Sequence, residues 1–378
     1  MKRLAGRVLA MAAAAALLVG CLPPAPPPAV LYCAPSTPSS AAGYQAAFDN
    51  LRLTYTEWIT ADGAFPVSLP DGRVLWLFGD TLTGHTNPDG GVPANAGLIH
   101  NSFVVQSGNC FAPLMGGAAH ARSSTIPDPA PNQWYWPAGA VVDGGALRVF
   151  VWHMQSTPPS GAAPGLGFST IDMETASYSL PSLVLQGVQP LPFPTGTTGA
   201  TAPYGATALS APDGFVYLYG AEQGNAYVAR TPAGDVAAGP WQFFDGSSWS
   251  SDPTAAAPMS WPNAPPHLPA FGAGSGPVAQ PWVVPYKSGY LATAEPVDAF
   301  SDQIWGFTGP TPAGPWTYQG AIAPAPQNLP SYGASTRFNL PGTTDPVIIY
   351  SVNNDVFTSA PTSISLYGPR FTAPTALP

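Results

Sequence analysis

Five pairs of apolar runs, each joined by a short turn, dominate the pattern of this chain. In the first pair, "AFPVSL" (64–69) is followed by Pro70-Asp71-Gly72 and then by "RVLWLFGD" (73–80). Apolar runs of this length around a turn of Pro, Asp and Gly are typical of β-hairpins. The same plan recurs at 136–153, 204–222, 278–295 and 332–354.

Third strands are predicted after four of these hairpins, at 101–106, 225–230, 303–308 and 363–368. Gly-Pro-Trp follows two of them, and the 49 prolines spread along the chain exclude long helices. An antiparallel sheet repeated five times predicts an all-β fold, a five-bladed β-propeller, in which "LRLTYT" (51–56) is a candidate strand for closing the ring. A jelly roll or β-sandwich is the alternative, but neither explains turns and Gly-Pro-Trp at matching offsets.

Chain direction predicts which polar residues share one face of the propeller. In an antiparallel hairpin the first strand starts where the second strand ends, so both positions lie at the same rim. The turn aspartates lie at the opposite rim, where turn chemistry explains them. The candidate site residues at the first rim are Asp62, Asp80, Asn101, Trp134, Trp136, His153, Tyr204, Glu222, Glu295, Arg337 and Asn353.

Aromatic rings beside carboxylates suit a neutral, polyhydroxylated ligand, because sugar rings stack on Trp and Tyr while their hydroxyls bind carboxylates and amides. Cleavage of a glycosidic bond requires two carboxyl groups, one protonated and one ionised. We therefore predict Asp62 as base or nucleophile, and Asp80 as the residue that sets its charge state or binds sugar. Glu222 is the preferred acid and Glu295 the alternate. The remaining candidates are predicted to bind substrate, although a strand-end cap at Asp80 and solvated glutamates are simpler interpretations.

The first residues resemble an export signal. Lys2, Arg3 and Arg7 precede an apolar stretch that ends in Leu18-Val19-Gly20-Cys21, which is similar to the site at which bacterial lipoproteins are cleaved and lipidated. This pattern predicts a signal peptide at 1–20, a lipidated Cys21 with a proline-rich spacer at 21–48, and the propeller at 49–378. The protein would then be exported and held at the outer face of the membrane by its lipid alone. Ordinary signal cleavage nearby, with Cys21 incidental, is the alternative.

Charge argues against one class of binding partner, and the cysteines and histidines indicate a disulfide but no metal site. The chain has 11 basic and 20 acidic residues, a net charge of −9, which argues against nucleic acid as a partner. In an exported chain the two cysteines beyond Cys21 favour a disulfide between Cys33 and Cys110, with two separate buried thiols as the alternative. No histidines or cysteines have metal-ligand spacing, so no metal or other cofactor is predicted.

The stretch "DGAFPVSLPDGRVLWLFGDTLTG" (62–84), with "WYWPAGAVVDGGALRVF" (134–150) and the Gly-Pro-Trp pair, resembles an actinobacterial propeller family of unknown function that includes enzymes cleaving D-arabinan of the mycobacterial cell wall. It is more distantly similar to five-bladed glycosidases acting on arabinan and fructan. The resemblance, over roughly residues 50–370, implies a catalytic carboxylate at Asp62, a signature aspartate at Asp80 and an arabinan-type polysaccharide as partner. Where the wider group places a carboxylate in blade two, this chain has Ala138-Gly139-Ala140. A lipid-anchored protein that binds glycan or other envelope components without cutting is therefore the alternative.

Overall fold

A computed structural model describes residues 31–54, 57–157, 167–193, 202–222, 225–265, 279–295, 303–326, 329–354 and 362–378. Their strands form five antiparallel sheets arranged as a five-bladed β-propeller, which confirms the predicted fold. All five predicted hairpins are present. The predicted signal peptide, Cys21 and the first part of the spacer lie outside the described residues. Among those described, no helix is long and apolar enough to cross a membrane.

Blade one contains the first helix and the N-terminal strands. They are β1 Tyr32–Cys33, α1 Ala41–Leu53, β2 Trp58–Ser68, β3 Val74–Thr83, β4 Gly97–Ile99, β5 Ser102–Ser107 and β6 Cys110–Leu114. The sheet order is β1-β6-β5-β3-β2, with β4 paired to the end of β3. Cys33 and Cys110 lie opposite each other in β1 and β6 and form the predicted disulfide. A small hairpin of β7 Gly116–Ala118 and β8 Ala121–Ser123 follows.

Blades two to five follow in chain order, each built from an antiparallel meander. Blade two has β9 Gln133–Asp143, β10 Ala146–Ser156, β11 Phe168–Ser179 and β12 Leu185–Pro190. Blade three has β13 Thr207–Ser210, β14 Phe215–Glu222, β15 Asn225–Pro232, β16 Gln242–Phe244 and β17 Trp249–Ser250, followed by a 3₁₀ turn at Pro253–Ala255. Blade four has β18 Ala279–Tyr286, β19 Gly289–Glu295, β20 Gln303–Gly309 and β21 Thr317–Pro324, and blade five has β22 Ser331–Arg337, β23 Val347–Val352 and β24 Gly368–Thr372.

Three of the four predicted third strands are confirmed, but the one at 363–368 is wrong. The third strand of blade five is β24, and the alternating serines before it form a turn instead. Ser363 Oγ accepts the N–H of Ser365 and the Ser363 carbonyl accepts that of Leu366. Local hydrogen bonds of this kind compete with a sheet ladder, so the alternation does not produce a strand.

The helix α1 was not predicted, and it corrects one expectation. The segment 51–56 does not supply a closing strand, since Leu51–Leu53 end the helix. The predicted start of the propeller at residue 49 lies within the same helix. Ser40 caps α1 by accepting the N–H of Gly43. Tyr44, Phe48 and Leu51 lie on one face of the helix and are completely buried against blades one and five.

The first strands contact one another in turn, β2 with β9, β9 with β13, β13 with β18 and β18 with β22, and these five strands surround the central channel. Blade five meets blade one where the N–H of Gly63 on β2 donates to Ser351 Oγ on β23 at 2.9 Å. Both ends of this channel carry a pocket. The end at which the first strands begin contains the polar residues that the hairpin geometry predicts.

Candidate functional site

A pocket of about 390 Å³ lies at this rim, between blades one, two and five. Four of the predicted site residues line it, namely Asp62 in the first half of β2, Asp80 near the end of β3, Trp136 on β9 and Asn353 just beyond β23. These four residues therefore lie at the rim that the chain direction predicts. The other described lining residues are Gly63, Phe65, Gly79, Pro137, Trp152, Phe168, Pro330, Tyr332 and Tyr367.

Asp62 and Asp80 form the polar floor of the pocket. Tyr332 donates its hydroxyl to Asp62 Oδ2 at 2.8 Å. Asp80 Oδ1 accepts the indole N–H of Trp136 at 2.7 Å and lies 3.0 Å from Nδ1 of His100. Each carboxylate is thus oriented by an aromatic donor on a neighbouring blade, and the two have different environments.

Burial raises the pKa of Asp62 to about 7, and the negative charge of Asp80 adds to this effect although the hydrogen bond from Tyr332 opposes it. Burial alone would lower the pKa of His100, but the hydrogen bond to Asp80 and its charge outweigh burial and raise it. Asp62 therefore gains and loses its proton near neutral pH. Two neighbouring carboxyl groups with one proton between them are suited to proton transfer.

The glycine that precedes the aspartate of "FGD", Gly79, is required by a close contact with Asp62. A Cβ atom built on Gly79 would lie 2.6 Å from Asp62 Oδ1, closer than two such atoms can approach. The Asp62 carboxylate therefore rests directly against the backbone of β3. Gly79 is required here for close approach, since its φ does not lie in the left-handed region.

Gly79→Ala should displace the Asp62 carboxylate and, on the sequence prediction that Asp62 is a base or nucleophile, lower turnover by about 10- to 100-fold, because small shifts of a reacting group are costly. Gly43→Ala in α1 is the matched control, since its Cβ would meet nothing closer than 3.4 Å. Steady-state kinetics of both variants, with circular dichroism to verify the fold, check this expectation. Equal activity of the two variants would contradict it.

Aromatic rings form the walls of the pocket. Trp136 and Phe168 meet edge to face with ring centroids 4.9 Å apart, and Trp152 lies beside them. Phe65 closes the pocket toward the channel and stacks on Trp282 at 5.3 Å. Such walls with a polar floor suit a ligand that has both C–H faces and hydroxyl groups.

The two predicted glutamates do not line this pocket. Glu222 ends β14 on blade three, where its charge acts on Tyr204 and Tyr227. Glu295 ends β19 and is buried against β22, where Oε2 accepts the N–H of Ala334 at 3.4 Å. Burial raises the pKa of Glu295 to about 7, more than its backbone hydrogen bonds lower it.

Trp134 is buried beside the pocket, where its ring stacks on His100 at 4.6 Å. It therefore supports the histidine that contacts Asp80 and does not line the pocket wall. Asn101 has a structural role, which corrects its prediction as a ligand contact. Its side chain is completely buried, and Nδ2 donates to the carbonyls of Ile126 and Tyr135 while Oδ1 accepts the N–H of Ile126.

Tyr204 and His153 are also outside the pocket. Tyr204 is completely buried against Phe193 and Phe243, so packing between blades explains it. His153 lies 2.8 Å from Glu174 Oε1 and 3.0 Å from Gln133 Oε1 through its two ring nitrogens. Successive residues of a strand point to opposite faces, and His153 follows the pocket residue Trp152 directly.

Arg337 lines a different pocket, of about 480 Å³, at the opposite end of the channel. It ends β22, so the length of the strand places it at the far rim and corrects its assignment to the first one. Its guanidinium carbon lies 4.0 Å from the ring centroid of Trp282, which in turn stacks on Phe65. This column of three side chains separates the two pockets.

Several residues at or beside the pocket were not predicted from the sequence. His100 lies just before β5, the third strand of blade one, which runs antiparallel to β3 and so begins at the rim of Asp80. Tyr367 donates its hydroxyl to the backbone carbonyl of Asp80 at 2.8 Å. Tyr367 belongs to the segment 363–368, which was wrongly predicted as a strand, and this error hid the position of Tyr367 at the pocket. Trp152 and Phe168 belong to the second and third strands of blade two.

The fold and the pocket thus define a five-bladed β-propeller with a paired-carboxylate, aromatic-walled site. The profile of the family described as "Domain of unknown function (DUF5005)" matches residues 45–373, and the chain belongs to this family. None of the curated proteins matches the chain.

Three solved structures illustrate the similarity of the fold. A presumed hydrolase from Bacteroides ovatus ATCC 8483 has 19% sequence identity and a TM-score of 0.69, over 90% of this chain and 93% of that chain. The GH43_1 enzyme from Xanthomonas citri, solved with xylotriose, has 16% identity and a TM-score of 0.47, over 88% and 93%. The endo-arabinase from Bacteroides thetaiotaomicron VPI-5482 has 11% identity and a TM-score of 0.47, over 84% and 95%.

Proposed function

We propose that this protein is a glycoside hydrolase that cleaves a neutral polysaccharide in the pocket of Asp62 and Asp80. The observation that carries the proposal is the pairing of the two carboxyl groups on the floor of an aromatic-walled pocket. The similarity to the B. ovatus protein extends to the fold, so the choice of reaction rests on the pocket itself. An arabinan-type cell-wall glycan is the proposed substrate, on the resemblance of the "FGDT" segment.

In this proposal Asp62 is the base or nucleophile and Asp80 sets its charge state. An ionised Asp80, held by Trp136 and His100, favours the protonated form of Asp62 and so makes its carboxylate a stronger base. A base with a pKa near the working pH transfers protons most effectively. The aromatic walls would hold the sugar ring over the two carboxyl groups.

Glu295 is the better candidate for the acid. Burial raises its pKa to about 7, so a large fraction of the carboxyl is protonated near neutral pH, and it packs against β22, the strand whose Tyr332 contacts Asp62. Glu222 ends β14 on blade three and is only half-buried. We therefore reverse the order that the sequence suggested for the two glutamates.

Glu295→Gln should slow hydrolysis of an unactivated glycan at least about tenfold more than hydrolysis of a 2,4-dinitrophenyl glycoside, since a good leaving group needs no acid. Glu222→Gln is the matched control and should affect both substrates equally. Comparison of kcat for the two substrates in each variant checks the assignment. If Glu222→Gln shows the selective loss instead, Glu222 is the acid.

The test of the function itself is incubation of the purified protein with arabinogalactan, arabinan, xylan and fructan, followed by measurement of reducing ends. Release from one of them that depends on Asp62 would support the hydrolase, and release from arabinogalactan or arabinan the proposed substrate. The position of both glutamates outside the pocket lining favours one other candidate, a protein that binds glycan without cutting it. Binding without turnover, weakened by Trp136→Ala more than by Asp62→Asn, would support that candidate.

We also propose, on the N-terminal pattern alone, that the protein is exported and lipid-anchored.

A further inference from the structure

Three metal-ligating side chains converge on blade one, apart from the pocket described above. Glu57 precedes β2, His85 follows the end of β3, and His120 lies in the turn between β7 and β8. One carboxylate oxygen and one nitrogen of each imidazole all lie within 4.8 Å of one another. The Nδ1 atom of His120 is 3.0 Å from Glu57 Oε1. Two ligands of a tetrahedral zinc ion, bound at about 2.0–2.1 Å, lie about 3.3 Å apart, so only a small closure is needed.

The Glu57 carboxylate is held in place by neighbours other than the two imidazoles. Its side chain is only 7% exposed. Oε2 lies 2.5 Å from Nε of Arg122, and Oε1 accepts the backbone N–H of His120 at 2.8 Å. Partners of this kind orient a ligating carboxylate and fix the direction from which an ion is bound. The imidazole of His120, by contrast, is 80% exposed and can close around an ion.

The backbone at two of these residues is in an uncommon conformation. Glu57 has φ 64° and His120 has φ 62°, in the left-handed region that favours glycine. Histidine is among the residue types that adopt this conformation most readily, and His120 lies in a turn, so only the conformation of Glu57 is unusual for its residue type. Strain of this kind concentrates at functional sites.

The hairpin that carries His120 is held to blade one through Glu57, by the Arg122 side chain and the His120 N–H, and within the described residues it has no support from a larger sheet. In the described part of the chain β7 and β8 pair only with each other, and an isolated two-stranded hairpin is at best marginally stable. A bond from His120 to an ion shared with Glu57 and His85 would fix the hairpin to the ends of β2 and β3.

We propose that Glu57, His85 and His120 bind one divalent transition-metal ion, with Zn²⁺ as the best-suited ion. Two imidazoles and one carboxylate are a ligand set that zinc accepts, and a water molecule would complete the tetrahedron. The site was not visible in the sequence because its ligands come from three separate segments. The ion cross-links blade one to the β7–β8 hairpin, and this role is independent of the proposed glycan chemistry.

The test uses the purified protein after treatment with a chelator. Zn²⁺ is titrated by isothermal calorimetry, and the melting temperature is measured with and without Zn²⁺. We expect one equivalent to bind and to raise the melting temperature, whereas Mg²⁺, which prefers oxygen ligands, should not. His85→Ala and His120→Ala should each weaken Zn²⁺ binding at least about tenfold.

His153→Ala is the matched control, because His153 is held by Glu174 and Gln133 away from the cluster. It should bind Zn²⁺ as the unmodified protein does. Glu57→Gln should also weaken Zn²⁺ binding, but it removes the charge that Arg122 pairs with and so affects folding as well. His85 is exposed, and His85→Ala is therefore the decisive variant. Absence of stoichiometric binding, or equal affinity in His85→Ala and His153→Ala, would overturn the proposal.

Discussion

Asp62→Asn is expected to lower kcat for glycan hydrolysis by about 10²–10⁴-fold, the usual contribution of a group that transfers a proton in the transition state. Asparagine has the shape of aspartate, so the hydrogen bond from Tyr332 and the contact with Gly79 can persist. Only the proton exchange is lost. Release of reducing ends from the best glycan of the panel measures the effect.

The same variant should be more stable than the unmodified protein at neutral and alkaline pH. The folded-state pKa of Asp62 is raised from 3.8 to about 7, so the native state holds a proton that the unfolded chain has released. Stability therefore falls as pH rises from about 4 through about 7, and the asparagine variant avoids that loss. The difference in melting temperature between the two proteins should accordingly be small at pH 4 and largest at pH 8.

These two measurements separate chemistry from folding. A variant that loses turnover while melting at a higher temperature at pH 8 has lost a reacting group. If Asp62→Asn keeps full activity, the Asp62–Asp80 pair is not the catalytic centre, and the binding alternative gains support. If the variant loses both activity and stability, Asp62 serves the fold and its burial has another cause.

The part of this pocket that the sequence predicted follows from backbone geometry alone. Asp62 and Asp80 are separated in the sequence, and composition alone does not predict that they are close in space. Pairing of β2 with β3 in antiparallel register nevertheless places Ala61 opposite Thr81, one residue beyond each aspartate. A turn at Pro70-Asp71-Gly72 between two apolar runs was sufficient to predict this pairing.

Residues were wrongly assigned to the pocket where the position along the strand was right but the side chain points to the other face of the sheet. Trp152 and His153 are neighbours in β10, but Trp152 lines the pocket while His153 faces Glu174 on β11. Period-two alternation could have separated them, had the face of one residue been known. The register shifts in β9–β10 pairing between Val149 and Val151 make that face uncertain from the sequence. A bulge changes which residues face one side, and nothing in this sequence identifies it.

The helix α1 was missed although its apolar pattern is regular. Tyr44, Phe48 and Leu51 follow the spacing of an amphipathic helix. Because prolines precede it, most of the segment was assigned to the predicted spacer at 21–48. The proline content of the chain also argued against helices in general. A capping serine at position 40 was the available signal that a helix begins there.

Phe48→Ala is expected to reduce the free energy of unfolding by about 3–5 kcal/mol, the usual loss for a fully buried phenylalanine. Its ring lies 5.1 Å from that of Trp76 on blade one and 5.2 Å from that of Phe371 on blade five. Among the described residues no sheet joins these two blades, so packing closes the ring, and α1 contributes to it beside the direct contacts of β2 with β23 and β24. Urea denaturation followed by tryptophan fluorescence measures the loss.

Leu53→Ala is the matched control, because Leu53 belongs to the same helix but is 54% exposed, and it should change stability by less than about 1 kcal/mol. Equal effects of the two substitutions would mean that the ring closes without the helix and that the contacts between β2 and β23 suffice.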